Sequence, residues 1–239
     1  MCKPFTVCCL FYGDYPKLAE RLLQSLYRLQ SGEQYDLRVG LNAVSVATAD
    51  IVKQYAEMMP MQALLGDPPY YKYPLMRRLF HQQPIETPFT MWFDDDSWLR
   101  ESATARFFPA VVDAMQVADM LGAMYYWPHL TANERRFIED QPWYTGVPIP
   151  GTVPFITGGW WVIRTAILQQ HRWPIDELQH DGGDVMLGEM FHQQGYRMAE
   201  WKKDVAINAD DRGRCSRAPR RGASGKTPRC GRAYQRPQR

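Results

Sequence analysis

Residues 91–99 read MWFDDDSWL. An apolar, β-prone run ends in three consecutive carboxylates, Asp94, Asp95 and Asp96, whose charges repel at close range. Such a group is stabilised by water or by a cation. Oxygen ligands alone favour a hard divalent ion, Mg2+ or Mn2+, over zinc. Mg2+ takes one or two carboxylates and completes its shell with water and phosphate oxygens, which points to the handling of a phosphorylated substrate. Alternation along a strand would put Asp94 and Asp96 on one face and Asp95 on the other. The competing reading makes Asp96 or Ser97 the cap of a following helix and leaves the other two carboxylates solvated.

The elements around this stretch must position it. PFTVCCLFYGDYP reads as a buried strand ending in a Gly-Asp loop. The helix after it carries Leu18, Leu22, Leu26 and Leu29 on one face and stops at Gly32. YDLRVGLNAVS is a second strand, ATADIVKQYAEMM a second helix and MQALLG a third strand. YKYPLMRRLFHQQ is a short helix, TPFTMWF the strand that leads into the aspartates, residues 100–118 a helix and DMLGAMYYW another strand. Alternation of this kind predicts an α/β fold with a mostly parallel sheet, in which ligands bind at the carboxyl ends of the strands. Residues 128–154, rich in Pro, Trp and charge, read as a long irregular excursion. VPFITGGWWVIRT reads as a strand interrupted by two glycines, GGDVMLGEMFHQQG as a helix, and YRMAEW and DVAINA as late strands.

The totals set limits. A chain of 239 residues, 45% hydrophobic, builds one large domain. Aromatics at 13%, with eight Trp, suit ligand clefts as well as cores. No apolar stretch is long enough for a membrane span, and the run Phe5–Tyr12 is too short for a secretory leader. The expectation is a soluble, cytoplasmic protein. Five cysteines in no zinc or redox spacing agree with a reducing compartment. Residues 212–239 hold ten of the 28 Lys/Arg and no acid, leaving 18 basic against 26 acidic residues, a charge of −8, in residues 1–211. The expectation is a folded domain over 1–211 and a basic, unstructured tail over 212–239.

Taken in order, the first strand with its Tyr-Gly-Asp loop, the Asp triplet after a strand, the Gly-Gly strand and the acid opening a later helix resemble the GT-A fold glycosyltransferases, most closely those of the family 2 type, over roughly residues 5–208. The resemblance implies a Rossmann-like, mostly parallel central sheet with flanking helices in a single domain. It implies that Phe11, Tyr12, Gly13 and Asp14 hold a nucleotide base and that Asp94 and Asp95 lie at the ribose. Asp96, with Asp94 as a second candidate, binds Mn2+ or Mg2+ on the diphosphate. Gly158 and Gly159 floor the donor and acceptor pocket. Asp184 falls on the catalytic base, with Gly183 where the family carries a Glu. Asn208, Asp210, Asp211 or His180 is left to supply a third metal ligand.

The partners implied are a UDP- or GDP-linked sugar and an acceptor hydroxyl, and a base opposite the leaving group inverts the anomeric carbon. Each residue has a plainer reading beside this one. Asp184 could cap its helix, and the two glycines could mark a bulge. Of Trp160 and Trp161, on alternate faces, one is core and the other free to stack on a sugar or base. Trp143 and Tyr144 are acceptor candidates or ordinary loop packing. Lys72, Arg77 and Arg78 could reach phosphate or line a solvated helix face, and His129 and Asp181 are weaker candidates. The alternatives to glycosyl transfer are a nucleotidyltransferase, disfavoured by the single Gly and Lys of FYGDYPK, and a non-catalytic nucleotide-sugar-binding module. The Arg-rich tail suits a polyanion, so hydroxymethylated bases in DNA are an alternative acceptor.

Overall fold

A computed structural model of the chain describes residues 3–29, 35–66, 70–179 and 182–207. Gly32, His180, Asp181, Asn208, Asp210, Asp211 and the basic segment 212–239 lie outside the described residues. So do the expected domain boundary and the nucleic-acid reading that rests on the tail.

Strand β1 (Phe5–Tyr12) is buried on both faces, as its unbroken apolar run requires. Cys8 and Cys9 sit side by side on it as free thiols and face opposite hydrophobic clusters. Helix α1 (Pro16–Arg28) begins on a proline, which fits a first-turn position without a free N–H, and buries Leu18, Leu22 and Leu26. Strand β2 (Tyr35–Asn42), helix α2 (Val46–Met58, capped by the Ser45 hydroxyl), strand β3 (Gln62–Gly66) and helix α3 (Lys72–His81) follow. Next come β4 (Phe89–Asp94), the two-residue β5 (Trp98–Leu99), α4 (Phe107–Ala114) and β6 (Met120–Trp127). Then come α5 (Ala132–Glu139), β7 (Val153–Arg164), α6 (Thr165–His171), α7 (Gly183–Gln194), β8 (Met198–Glu200) and β9 (Val205–Ala206).

Seven strands form one sheet in the order β3-β2-β1-β4-β7-β6-β8, and β5 pairs with β9 in a second, two-stranded sheet. Every neighbouring pair of the main sheet is parallel except those made by β7, which runs antiparallel to β4 and β6. The carboxyl ends of β1, β2, β4 and β6 therefore share one edge. One core lies on each face. Phe93, Trp160 and Val162 belong to the first, and Trp92, Trp161 and Phe191 to the second.

Four expectations change. Residues 128–154 are not irregular throughout, because Thr131 and Glu134 form a capping box that starts α5: the Thr131 hydroxyl accepts the Glu134 N–H at 3.2 Å, and the Glu134 carboxylate accepts the Thr131 N–H at 2.7 Å. The helix expected over 100–118 is confined to Phe107–Ala114. The two glycines do not break β7, which is continuous, but they lie in a bulge of its ladder with β6: Gly122 faces Trp161 and Met124 faces Ile156, so residues 157–160 stand opposite a single β6 residue. Finally, α6 starts directly at the end of β7, with no turn residues to announce it. No helix among the described residues is long and apolar enough to cross a membrane.

Candidate active site

Asp94 is the last residue of β4, and alternation ends with it. The Ser97 N–H bonds back to the Asp94 carbonyl at 3.0 Å, so Asp95 and Asp96 occupy a tight turn rather than opposite faces of a strand. The turn leads into β5, and α4 has Arg106 at its N-cap, so neither Asp96 nor Ser97 caps a helix. Trp92 lies two residues before Asp94 and shares its face, and its indole N–H donates to Asp94 Oδ1 at 3.0 Å. Lys72, the first residue of α3, places its ammonium 2.8 and 2.9 Å from the two Asp94 oxygens. Both side chains are largely buried, so the charges are held together in a poorly solvated place.

Asp184 is not the helix cap. Gly182 takes that position with φ 82°, a backbone setting that glycine adopts without strain. The Asp184 carboxyl turns instead to β7 and α3. It accepts the Gly158 N–H at 2.7 Å and the Tyr73 hydroxyl at 3.2 Å. The residue as a whole is half-buried, yet its carboxyl is packed about by protein atoms. Burial raises its affinity for a proton, the Lys72 ammonium opposes the rise, and the Asp94 carboxylate adds to it. Helix α7 can come this close because glycines line its contacts. A Cβ on Gly188 would lie 2.3 Å from the Pro154 carbonyl oxygen, and one on Gly183 would lie 2.3 Å from the Tyr73 ring. No acidic side chain fits at position 183, since the Tyr73 ring already fills that space.

Gly158 is where these groups meet. A Cβ there would stand 2.8 and 2.9 Å from the Asp184 oxygens and 3.1 Å from the Lys72 ammonium. Substituting Gly158 by Ala therefore must displace the carboxylate, the ammonium or the strand. A shift of this size in a reacting group costs about 10²-fold in rate. The expected outcome for Gly158→Ala is such a loss in turnover with a much smaller change in nucleotide affinity, measured by steady-state kinetics and calorimetry.

The first loop is ordered by its own hydrogen bonds. Gly13, at φ 61°, presents its carbonyl to the Ser45 N–H at 2.9 Å and the Thr48 hydroxyl at 3.2 Å, while Asp14 accepts the Ser45 hydroxyl at 2.7 Å. Tyr12 is half-buried with its ring edge-on to Tyr15, but Phe11 is enclosed in the core and offers nothing to a base. The remaining expectations divide. Trp143, Trp160 and Trp161 are buried in the two cores, so none presents a ring face to an acceptor, and Tyr144 packs against the second core. Arg77 donates to the Pro174, Ile175 and Leu178 carbonyls of the loop after α6, and Arg78 to the Leu65 carbonyl of β3, so both guanidinium groups are engaged by backbone carbonyls. Tyr73 and the Trp92 indole were not foreseen. The spacing Trp92-x-Asp94 was the legible signal for the second.

The fit to a divalent cation is narrow. Asp94 already has a cation on both oxygens, and no group of three His, Cys, Asp or Glu side chains converges on a metal position among the described residues. Asp96, buried in the turn after β4, adds one carboxylate at the strand-end edge. That suits an ion whose other ligands are water and phosphate oxygens.

The fold is that of the GT-A glycosyltransferases, with its mostly parallel sheet and flanking helices in a single domain. The chain is similar to a mannosyltransferase from Pyrobaculum calidifontis solved with GDP-Man and Mn2+, at a TM-score of 0.61 and 14% identity over 89% of this chain. It is also similar to S. aureus TarS, at a TM-score of 0.56 and 16% identity over 85% of this chain, and to TarS in complex with UDP-GlcNAc, at a TM-score of 0.53 and 14% identity. It spans 59% of the mannosyltransferase and 35% of the longer TarS chain. The sequence matches no protein-family profile. It matches no curated protein sequence either.

Proposed function

We propose that the chain is a nucleotide-sugar-dependent glycosyltransferase that works with inversion. The observation that carries this reading is the Asp184 carboxyl, held by Gly158 and Tyr73 beside the Lys72–Asp94 pair at the ligand-binding edge of the sheet. The fold shared with enzymes solved with GDP-Man and UDP-GlcNAc supports it. In the proposed step the acceptor oxygen bonds to the anomeric carbon, the bond from that carbon to the diphosphate breaks, and the acceptor proton passes to Asp184. A carboxyl with raised proton affinity is a better base for a hydroxyl than an ordinary one. Tyr73 and Gly158 orient it. Tyr12, Gly13 and Asp14, with Asp95, border the nucleotide position.

A divalent cation, when bound, neutralises charge on the leaving diphosphate, and Asp96 would hold it. Since the described residues offer it so few ligands, nucleotide and Mn2+ are expected to bind together. UDP or GDP affinity should fall by at least about tenfold in EDTA, the scale of one lost charge-assisted contact. Equal affinity with Mn2+ and with EDTA sinks the metal assignment. The reading as a whole is tested by incubating the full chain with UDP- and GDP-linked sugars and following diphosphate release and the anomeric configuration of the product by NMR. A chain that neither binds nor turns over any of them is not a glycosyltransferase.

A further inference from the structure

The chain that follows α6 has no ladder or helix of its own to take up its backbone carbonyls, and the buried ones need donors from elsewhere. Helix α3 supplies them. Tyr73, Arg77 and His81 follow one another at four-residue steps and so share one face of α3. All three meet residues 173–179. The Tyr73 N–H, in the first turn of α3 and so without an acceptor inside the helix, donates to the Gln179 carbonyl at 3.0 Å. Arg77 donates through Nε to the Pro174 carbonyl at 2.9 Å, and through Nη2 to the Ile175 carbonyl and, at 3.4 Å, to the Leu178 carbonyl. His81 Nε2 lies 2.8 Å from the Trp173 carbonyl, which can only accept, so that nitrogen carries the proton. Trp173, Pro174 and Leu178 are buried.

This strap leads to the base. Gln179 precedes Gly182, the cap of α7, by three residues and Asp184 by five. Tyr73, one turn before Arg77 on the same face, holds both: the strap through its N–H, and the Asp184 carboxyl through its hydroxyl at 3.2 Å. On another side Ile175, Asp176 and Glu177 line a cavity of about 820 Å³, so α3 is the wall that fixes the strap. The ion pair of Arg77 with Asp176, at 3.0 Å, adds little, because the Asp176 side chain keeps 90% of its exposure. What Arg77 contributes is a planar fork of donors that meets three carbonyls at once.

We propose that Arg77 is a positioning residue for the base: by pinning residues 174–178 to α3 it fixes the approach of the chain to Gly182 and keeps the Asp184 carboxyl on the Gly158 N–H. The role of Asp184 as base rests on the glycosyl-transfer reading; the placement of its carboxyl does not. The charges that act on that carboxyl are those of Lys72 and Asp94, so an effect of Arg77 on it travels through the strap.

The test compares the full chain with Arg77→Gln, Arg77→Lys and Asp176→Asn, and places Arg77→Gln in the Asp184→Asn background as well. Gln keeps one donor and loses the fork. Lys keeps the charge, cannot span three carbonyls, and serves if the Gln variant does not fold, which thermal melts show. Each Arg77 variant should lower transfer by about 10- to 100-fold, the scale of a misplaced reacting group, with nucleotide affinity close to the parent. Asp176→Asn should behave as the parent does. In the Asp184→Asn chain, where no base is left to position, Arg77→Gln should add nothing. An equal loss in both backgrounds, or normal transfer by the Arg77 variants, overturns the proposal. A loss as large in Asp176→Asn also overturns it and gives the role to the ion pair. Carbon-13 NMR of the Asp carboxyls, with the Asp184→Asn spectrum assigning the signal, reads the placement without any activity. Burial is the largest influence on this carboxyl, so its midpoint should move down toward the ordinary carboxylate range in the Arg77 variants and stay in Asp176→Asn. An unmoved midpoint in folded Arg77 variants overturns the proposal. A chain that binds no nucleotide and transfers no sugar, yet shows the shift, loses the transfer reading and keeps the strap.

Discussion

Replacing Asp184 by Asn is expected to lower transfer by about 10²- to 10⁴-fold, the range for a lost general base. Nucleotide affinity should stay close to that of the parent chain, because the base faces the acceptor. Stability should move the other way. Burial gives the folded state a carboxyl with more affinity for a proton than the unfolded chain has. Its contribution is then fully present below the ordinary carboxylate range and lost as pH rises through the folded value. At neutral pH the ionised Asp184 costs stability, and Asn removes that cost. Its amide can accept from the Gly158 N–H and donate to the Tyr73 oxygen, so both neighbours keep a partner. The variant should therefore melt above the parent at pH 7 to 8, and the gap should close as pH falls below about 4. The pH profile carries the same sign: transfer by the parent chain should rise through a limb above the usual carboxylate range. A variant that turns over normally and melts lower would return Asp184 to a structural role.

The parts of this arrangement that were legible in the sequence share a physical reason. Strand β4 and its aspartates stood out because burial on both faces leaves a continuous apolar run, and the charges mark where it ends. Helix α7 was legible because two glycines and an acid precede its apolar residues. What was hidden depended on partners distant in the chain. Nothing near Asp94 in sequence says that Lys72, 22 residues earlier, neutralises it. Nothing near Gly183 says that the Tyr73 ring fills the space beside it. The tryptophans misled for a related reason. Trp160 and Trp161 alternate faces as expected, but a sheet covered on both sides buries both. The aromatic run ending at Trp127 escapes burial because the neighbouring strand β8 is only three residues long.

Lys72→Met should produce the largest loss of stability. It keeps most of the side-chain stem and removes the charge, leaving the Asp94 carboxylate with the Trp92 indole as its remaining close donor among the bonds described above. Removing one member of a buried ion pair costs about 3–5 kcal/mol. The Lys72 and Asp94 side chains retain 16% and 9% of their exposure, so some water relieves the charge and about 3 kcal/mol is the better expectation. For a domain of this size that lowers Tm by about 6–12 °C. Adding Asp94→Asn should recover most of the loss, because no uncompensated carboxylate is then left behind. The two single variants should also move the pH profile in opposite directions. The Lys72 ammonium holds the Asp184 proton affinity down and the Asp94 carboxylate pushes it up. Loss of Lys72 should shift the acid limb of transfer to higher pH, and loss of the Asp94 charge should shift it to lower pH. A merely structural ion pair would alter stability and leave both limbs where they were. Opposed shifts would show that the pair sets the charge state of the base, and so links the buried end of β4 to the chemistry at α7.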